Sequence, residues 1–181
     1  QVAFYILIGF VLAYGGDPNG AAISRNNMLV AILVASALQI VAQFMAAAYS
    51  DRHGRRGVFM LGAVLTGVWA FALFPLIDTG SLWLMVLALS GGLMFVGMMY
   101  GPQAAFFTEL FSTDVRYSAA SLGYQGGAIL GGAFAPAIAT ILWTEYAVVW
   151  VSVYIAIASV LTLLSVMMLT ETYKTSLQDT D

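Results

Sequence analysis

The 181 residues are 61% hydrophobic and only 8% charged, with six basic and nine acidic side chains and a formal charge of −3. Soluble domains carry about 25% charged residues, so this composition excludes a soluble enzyme and a disordered chain. It also excludes a nucleic-acid binder, which needs a cationic face. An integral membrane protein remains. The absence of cysteine removes disulfide frameworks and thiolate metal sites, and no metal or cofactor is expected.

A membrane helix needs about 20 predominantly apolar residues. Charges and turn residues cut the chain into six such segments, which makes the expected fold an all-α bundle of six transmembrane helices. The first, Val2–Gly15, is too short to span and begins inside an apolar run, as expected of a piece of a longer chain. The others are Met28–Ser50, Val58–Ile77, Leu82–Phe111, Val115–Leu142 and Ala147–Leu169. Short linkers join them, including Gly16–Asn27, Asp51–Gly57, Asp78–Ser81 and Trp143–Tyr146. Residues 1–169 thus form one bundle, followed by a tail over 170–181.

Basic residues orient the spans. Arg52, Arg55, Arg56, Arg116 and Lys174 fall on one side and only Arg25 on the other. By the positive-inside rule the tail is predicted to be cytoplasmic, and the protein is expected in the cell (inner) membrane. Trp83, Trp143 and Trp150 cluster at the opposite ends, as interfacial anchors; Trp69, inside the third span, is the exception.

Small residues mark helix contacts in lipid. The fifth span carries Ala119, Gly123, Gly127, Gly131, Ala135 and Ala139, one every fourth position, which reads as a continuous packing ridge. A second ridge, Gly97, Gly101, Ala105 and Glu109, is interrupted by Pro102, a kink position. Amides and phenols away from helix ends must face protein or a cavity. Gln39, Gln43, Tyr100, Gln103, Tyr124 and Gln125 are therefore the candidate substrate-binding residues. The isolated Ser and Thr of the third and sixth spans read as lipid-side or packing residues.

Two acids sit where helix dipoles disfavour them. Asp51 and Glu109 both lie near the C-terminal ends of spans, with Arg55, Arg56 and Arg116 as available cations. An ion-pair cluster on the inner face is expected.

The run Asp51-Arg52-His53-Gly54-Arg55-Arg56 resembles the cytoplasmic loop signature of the major facilitator superfamily. The segment from Phe107 to Gln125, followed by Gly-Gly-Ala-Ile-Leu-Gly-Gly and Ala-Pro-Ala-Ile, resembles the linker between helices ten and eleven of its metabolite:proton symporter family. Ala47 stands where the loop signature usually has Gly, and Ser112 where the family usually has Pro. Read this way the chain is the carboxyl-terminal half of a twelve-helix transporter, helices seven to twelve. The resemblance implies that Asp51, Arg52, Arg55, Arg56, Glu109 and Arg116 form an inner gate network. It further implies secondary active transport of a small organic acid or betaine-like metabolite by alternating access, with the proton as coupling ion. The partners are then substrate, proton, lipid bilayer and the amino-terminal six-helix half.

Every acid lies in or beside a linker or in the tail, so the proton acceptor is expected in that other half. A sugar porter-like facilitator, or a self-contained six-span protein that dimerises through the glycine ridge, are the alternatives. An intramembrane protease is disfavoured because His53, the one histidine, lies in a charged loop.

Overall fold

The computed structural model describes residues 1–112 and 114–171; of the expected tail, residues 172–181 lie outside the described part. The chain forms α1 (Val2–Gly16), α2 (Arg25–His53), α3 (Arg55–Asp78), α4 (Leu82–Glu109), α5 (Arg116–Glu145) and α6 (Val149–Met167). Among the described residues, five helices are long and apolar enough to cross a membrane, and α1 is shorter.

The linker expected over Asp51–Gly57 is helical on both sides of Gly54, and Arg25–Asn27 is helical too. Charged residues end a hydrocarbon segment without ending a helix. At 1.5 Å per residue the 29 residues of α2 extend roughly 43 Å, beyond the ~30 Å apolar core of a bilayer. Gly54 alone turns the chain from α2 into α3, at φ +110°, a conformation that only glycine adopts without strain. At the other end of α2 the Ser24 hydroxyl caps the helix by accepting from the Asn27 N–H at 3.4 Å.

α2 and α4 make the most extensive contact of the bundle. Met28, Ala31, Ala35, Gln39, Ala42, Ala46 and Ser50 form the buried stripe of α2. Its backbone comes very close to two glycines of α4. A Cβ on Gly97 would lie 3.0 Å from the Gln39 carbonyl oxygen, and one on Gly101 only 2.5 Å from that of Gln43. Pro102, next along, is buried within a helix that continues through it to Glu109.

α3 packs on both α4 and α6. The indole N–H of Trp69 donates to the Ala88 carbonyl at 2.8 Å, and its ring lies over Gly91. This explains a tryptophan far from either interface. The Ser152 hydroxyl of α6 donates to the Ala70 carbonyl of α3 at 2.7 Å.

α1 runs along the second half of α5, where Tyr5 covers Gly132. Both helices loosen into π turns, at Ile6–Phe10 and Ala128–Ala133. Beyond them Phe10, Tyr14, Phe74 and Trp143 form an aromatic knot, with ring centroids 5.2 to 6.1 Å apart. The Tyr14 hydroxyl donates to Asp78 at 2.6 Å and ties the ends of α1 and α3.

The glycine ridge of α5 packs against α1 as far as α1 extends: a Cβ on Gly131 would meet Val2 and Gln1 at 3.5 and 3.6 Å. Ala135 and Ala139 are fully buried, whereas a Cβ on Gly123 or Gly127 would meet no atom within 4 Å. Residues 116–127 bury no side chain. Gly127 and Gly123 continue the same ridge one and two turns beyond the level of Gln1. Outward, Leu33, Ile40, Phe44 and Met45 of α2 are more than half exposed, an apolar face suited to lipid.

Candidate functional site: an arginine hub beneath an uncharged cavity

Arg55 is the first residue of α3, so it emerges directly beside the end of α2. Its Nε–H is shared between both oxygens of Glu109, at 2.8 Å each, and its Nη1 donates to Asp51 at 2.7 Å. The Arg55 and Glu109 side chains are only 13% and 12% exposed, but Asp51 is 60% exposed. One guanidinium thus resolves both acids that the sequence left at helix C-terminal ends, and it joins α2, α3 and α4.

Glu171 extends the hub. Its carboxylate accepts from the backbone N–H groups of Arg55 at 2.9 Å and Arg56 at 3.2 Å. An anion there meets the unpaired donors and the positive end of the α3 dipole. Gly54 leaves the room: a Cβ there would come within 2.7 Å of the carboxylate. Arg56 answers in the reverse sense, its Nη2 donating at 2.6 Å to the carbonyl of Met167, the last residue of α6. A cation at a helix C-terminus is the favourable arrangement.

The expected gate residues are therefore only partly gathered. Asp51, Arg55 and Glu109 form one cluster, and Arg56 links α3 to α6. Arg116 donates to the Phe111 carbonyl at 3.4 Å, bracing the turn before α5. Arg52 is exposed and joins no ion pair or hydrogen bond among the described residues, so it falls outside the cluster. Glu171 was missed, because an acid just past the last apolar residue reads as solvated tail. Its signal was a position two residues beyond a span, on the side richest in arginine.

Above the hub lies a cavity of about 470 Å³, bordered by the start of α1 and by α3, α4, α5 and α6. That volume suits a small molecule. Of the six candidate binding residues, Tyr100, Gln103 and Tyr124 line it. The Tyr100 hydroxyl donates to the Gln1 side-chain oxygen at 2.9 Å. Gln39 and Gln43 do not line it, because the close approach of Gly97 and Gly101 places them at the α2–α4 seam. Gln125, exposed on α5, is also outside. Gly123, Gly127 and Gly131 border the cavity. The opposite wall carries Thr66, Ser159, Thr162 and Ser165, hydroxyls that the sequence reading placed at packing or lipid positions. Nothing charged lines the cavity among the described residues.

Residues 2–180 match the family model described as Major Facilitator Superfamily. The chain belongs to the major facilitator superfamily. It is 34% identical over 177 residues to the inner membrane metabolite transport protein YhjE of Escherichia coli, covering 96% of this chain and 40% of that protein. It is 32% identical over 155 residues to the shikimate transporter of Escherichia coli, covering 85% and 35%. Against the citrate-proton symporter of Klebsiella pneumoniae it is 29% identical over 145 residues, covering 77% and 31%. The chain spans about 40% of the length of the first of these relatives. No solved structure gives a significant match. This major facilitator chain is thus a multi-pass membrane protein with metabolite transporters as relatives, in a family of transporters and not of enzymes.

Proposed function

We propose that this chain forms the carboxyl-terminal half of a secondary active transporter that moves a small organic acid or betaine-like metabolite together with a proton. The observation that carries the reading is the Arg55 hub. It joins the ends of α2, α3 and α4 at one end of the bundle, directly below a cavity of substrate size. In alternating access two halves rock about a midplane site. All the charges of the hub lie in this half, so it fastens α2, α3 and α4 while that end is closed, and its opening as a gate requires those helices to shift within the half.

The basic asymmetry supports a cytoplasmic position for the hub and for the segment after α6. The coupling proton needs a titratable group inside the bilayer. The acids described here lie at helix ends or connections, so that group belongs to the other half of the transporter. Tyr100, Gln103 and Tyr124 form the substrate wall on this side.

The test reconstitutes the full-length protein in proteoliposomes and follows uptake of shikimate and of citrate under an imposed pH gradient. Saturable uptake of one of them is expected in the native protein. Arg55→Gln should reduce it by at least ~10-fold, with the protein still inserted. Undiminished uptake in both Arg55→Gln and Glu109→Gln would refute the gate.

A further inference from the structure

Two irregular turns lie side by side in the bundle. α1 loosens into a π turn at Ile6–Phe10 and α5 into another at Ala128–Ala133. A π turn interrupts the ordinary hydrogen-bond ladder of a helix, which makes it a place to bend and a frequent feature of functional sites. These two are in contact. Tyr5, just before the first, lies so close over Gly132 of the second that a Cβ there would come within 2.6 Å of its ring. A Cβ on Gly9 of the first would meet Pro136, just past the second, at 3.8 Å. Two neighbouring helices are thus weakened at one level, and each carries glycine there.

Beyond these turns, at the end away from the Arg55 hub, the two helices are joined to each other. Trp143 of α5 meets Phe10 and Tyr14 of α1 edge to face, with ring centroids 6.1 and 5.2 Å apart. The connection from α1 to α2 folds back onto α1, the Ala21 and Ile23 N–H groups donating to the Tyr14 and Gly15 carbonyls at 3.3 and 2.7 Å. This piece is held to α3 by the ring of Phe74 and by one hydrogen bond, from the Tyr14 hydroxyl to Asp78 at 2.6 Å. The bond is lopsided. Tyr14 is only 4% exposed, while Asp78 already faces water. The carboxylate therefore rehydrates when its donor leaves, and no buried acid is stranded by release.

We infer that the ends of α1 and α5 form a single leaf, hinged at the paired π turns and latched to α3 by the Tyr14–Asp78 hydrogen bond. Release of the latch lets the leaf swing off α3 and opens that end of the bundle within this half. The transporter reading supplies the purpose of such an opening, and the leaf rests on it for that alone.

The test uses the full-length protein in nanodiscs, with its other cysteines replaced. Single cysteines are placed at three buried alanines, and their rates of reaction with a charged, membrane-impermeant methanethiosulfonate are compared. Ala70 of α3 is 3% exposed and borders a small void beside Ala3 and Leu7 of α1, under the leaf. Ala139 is fully buried on α5 between Pro136 and Trp143, inside the leaf. Ala31 is fully buried on the α2 stripe. Tyr14→Phe should speed labelling of Ala70→Cys about 3- to 10-fold, the worth of one hydrogen bond, and leave the other two positions unchanged. Asp78→Ala, which alters an exposed side chain and spares the fold, should act at least as strongly because it strands the buried phenol. Asp78→Asn should act less, since its amide oxygen still accepts. Tyr14→Phe combined with Asp78→Ala should label no faster than the quicker of the two single variants. Unchanged labelling of Ala70→Cys in both single variants, or effects that add, would overturn the latch. Equal acceleration at Ala31→Cys would mean that the whole bundle loosens, and acceleration at Ala139→Cys that α1 parts from α5; either would overturn the leaf. All of these outcomes leave the transporter reading to its own test by uptake.

Discussion

The Arg55–Glu109 pair can be weighed against Arg55–Asp51 on the same guanidinium, which makes each the control for the other. Exposed ion pairs contribute about 0–1 kcal/mol. Hydrogen bonds to charged groups shielded from water contribute about 1.5–3 kcal/mol. Glu109 is 12% exposed and receives the Nε–H on both oxygens at 2.8 Å, so it belongs to the second class. Asp51, 60% exposed despite its 2.7 Å contact, belongs to the first. Double-mutant cycles with Arg55→Gln, Glu109→Gln and Asp51→Asn separate the two, because other contacts of each residue cancel in the cycle. Unfolding of the full-length protein in mixed micelles by rising SDS gives the free energies. A coupling of about 1.5–3 kcal/mol is expected for Arg55–Glu109 and of less than ~1 kcal/mol for Arg55–Asp51. A reversed order, or a first coupling below ~0.5 kcal/mol, would refute the shielded character of the Arg55–Glu109 pair.

Two glycines should respond oppositely to the same methyl group. Gly101→Ala drives a Cβ into the α2 backbone and should destabilise by about 1–3 kcal/mol, whereas Gly57→Ala, exposed on α3, meets nothing and should be neutral or stabilise by up to ~1 kcal/mol; thermal unfolding compares them. Glu171→Gln removes the charge from the α3 N-terminus and should cost about 0.3–1 kcal/mol at low salt, a difference that ought to vanish near 1 M salt. Single cysteines placed at His53 and Trp143 in this chain, which has none of its own, should label from opposite faces of the membrane; labelling of both from one face would refute the proposed orientation.

Hydropathy located all six helices to within a few residues, because burying an unpaired backbone in lipid leaves the chain little choice. The errors lie at charged ends such as Asp51–Gly57, where the helix outlasts its apolar segment. The π turns at Ile6–Phe10 and Ala128–Ala133 left no trace, since a hydrophobic pattern does not distinguish one hydrogen-bond register from the next. The Arg55 hub was legible for a physical reason: Asp51 and Glu109 stood at the wrong ends of their helices and required a cation. The residues that line the cavity were harder to read. Gln39 and Gln43 stood out as amides in apolar surroundings, yet Gly97 and Gly101 bring the backbones together just there. Thr66 and Ser159 did not stand out, because a hydroxyl in a membrane helix can satisfy itself on its own backbone, and only the structure shows that Thr66 does not.

The two ends of the bundle are fastened by different chemistry, and they will therefore answer differently to the surrounding water. The Arg55 end is held by charges. The far end is held by the rings of Phe10, Tyr14, Phe74 and Trp143, with a single phenol-to-carboxylate bond. Screening shortens from about 8 Å at physiological ionic strength to 3 Å at 1 M. It slackens the exposed Arg55–Asp51 contact more than the shielded Arg55–Glu109 pair, and leaves the edge-to-face rings nearly untouched. Dissolved ions thus act as a lever on one end of this bundle only, and the same helices can be firm on one side of a membrane and yielding on the other.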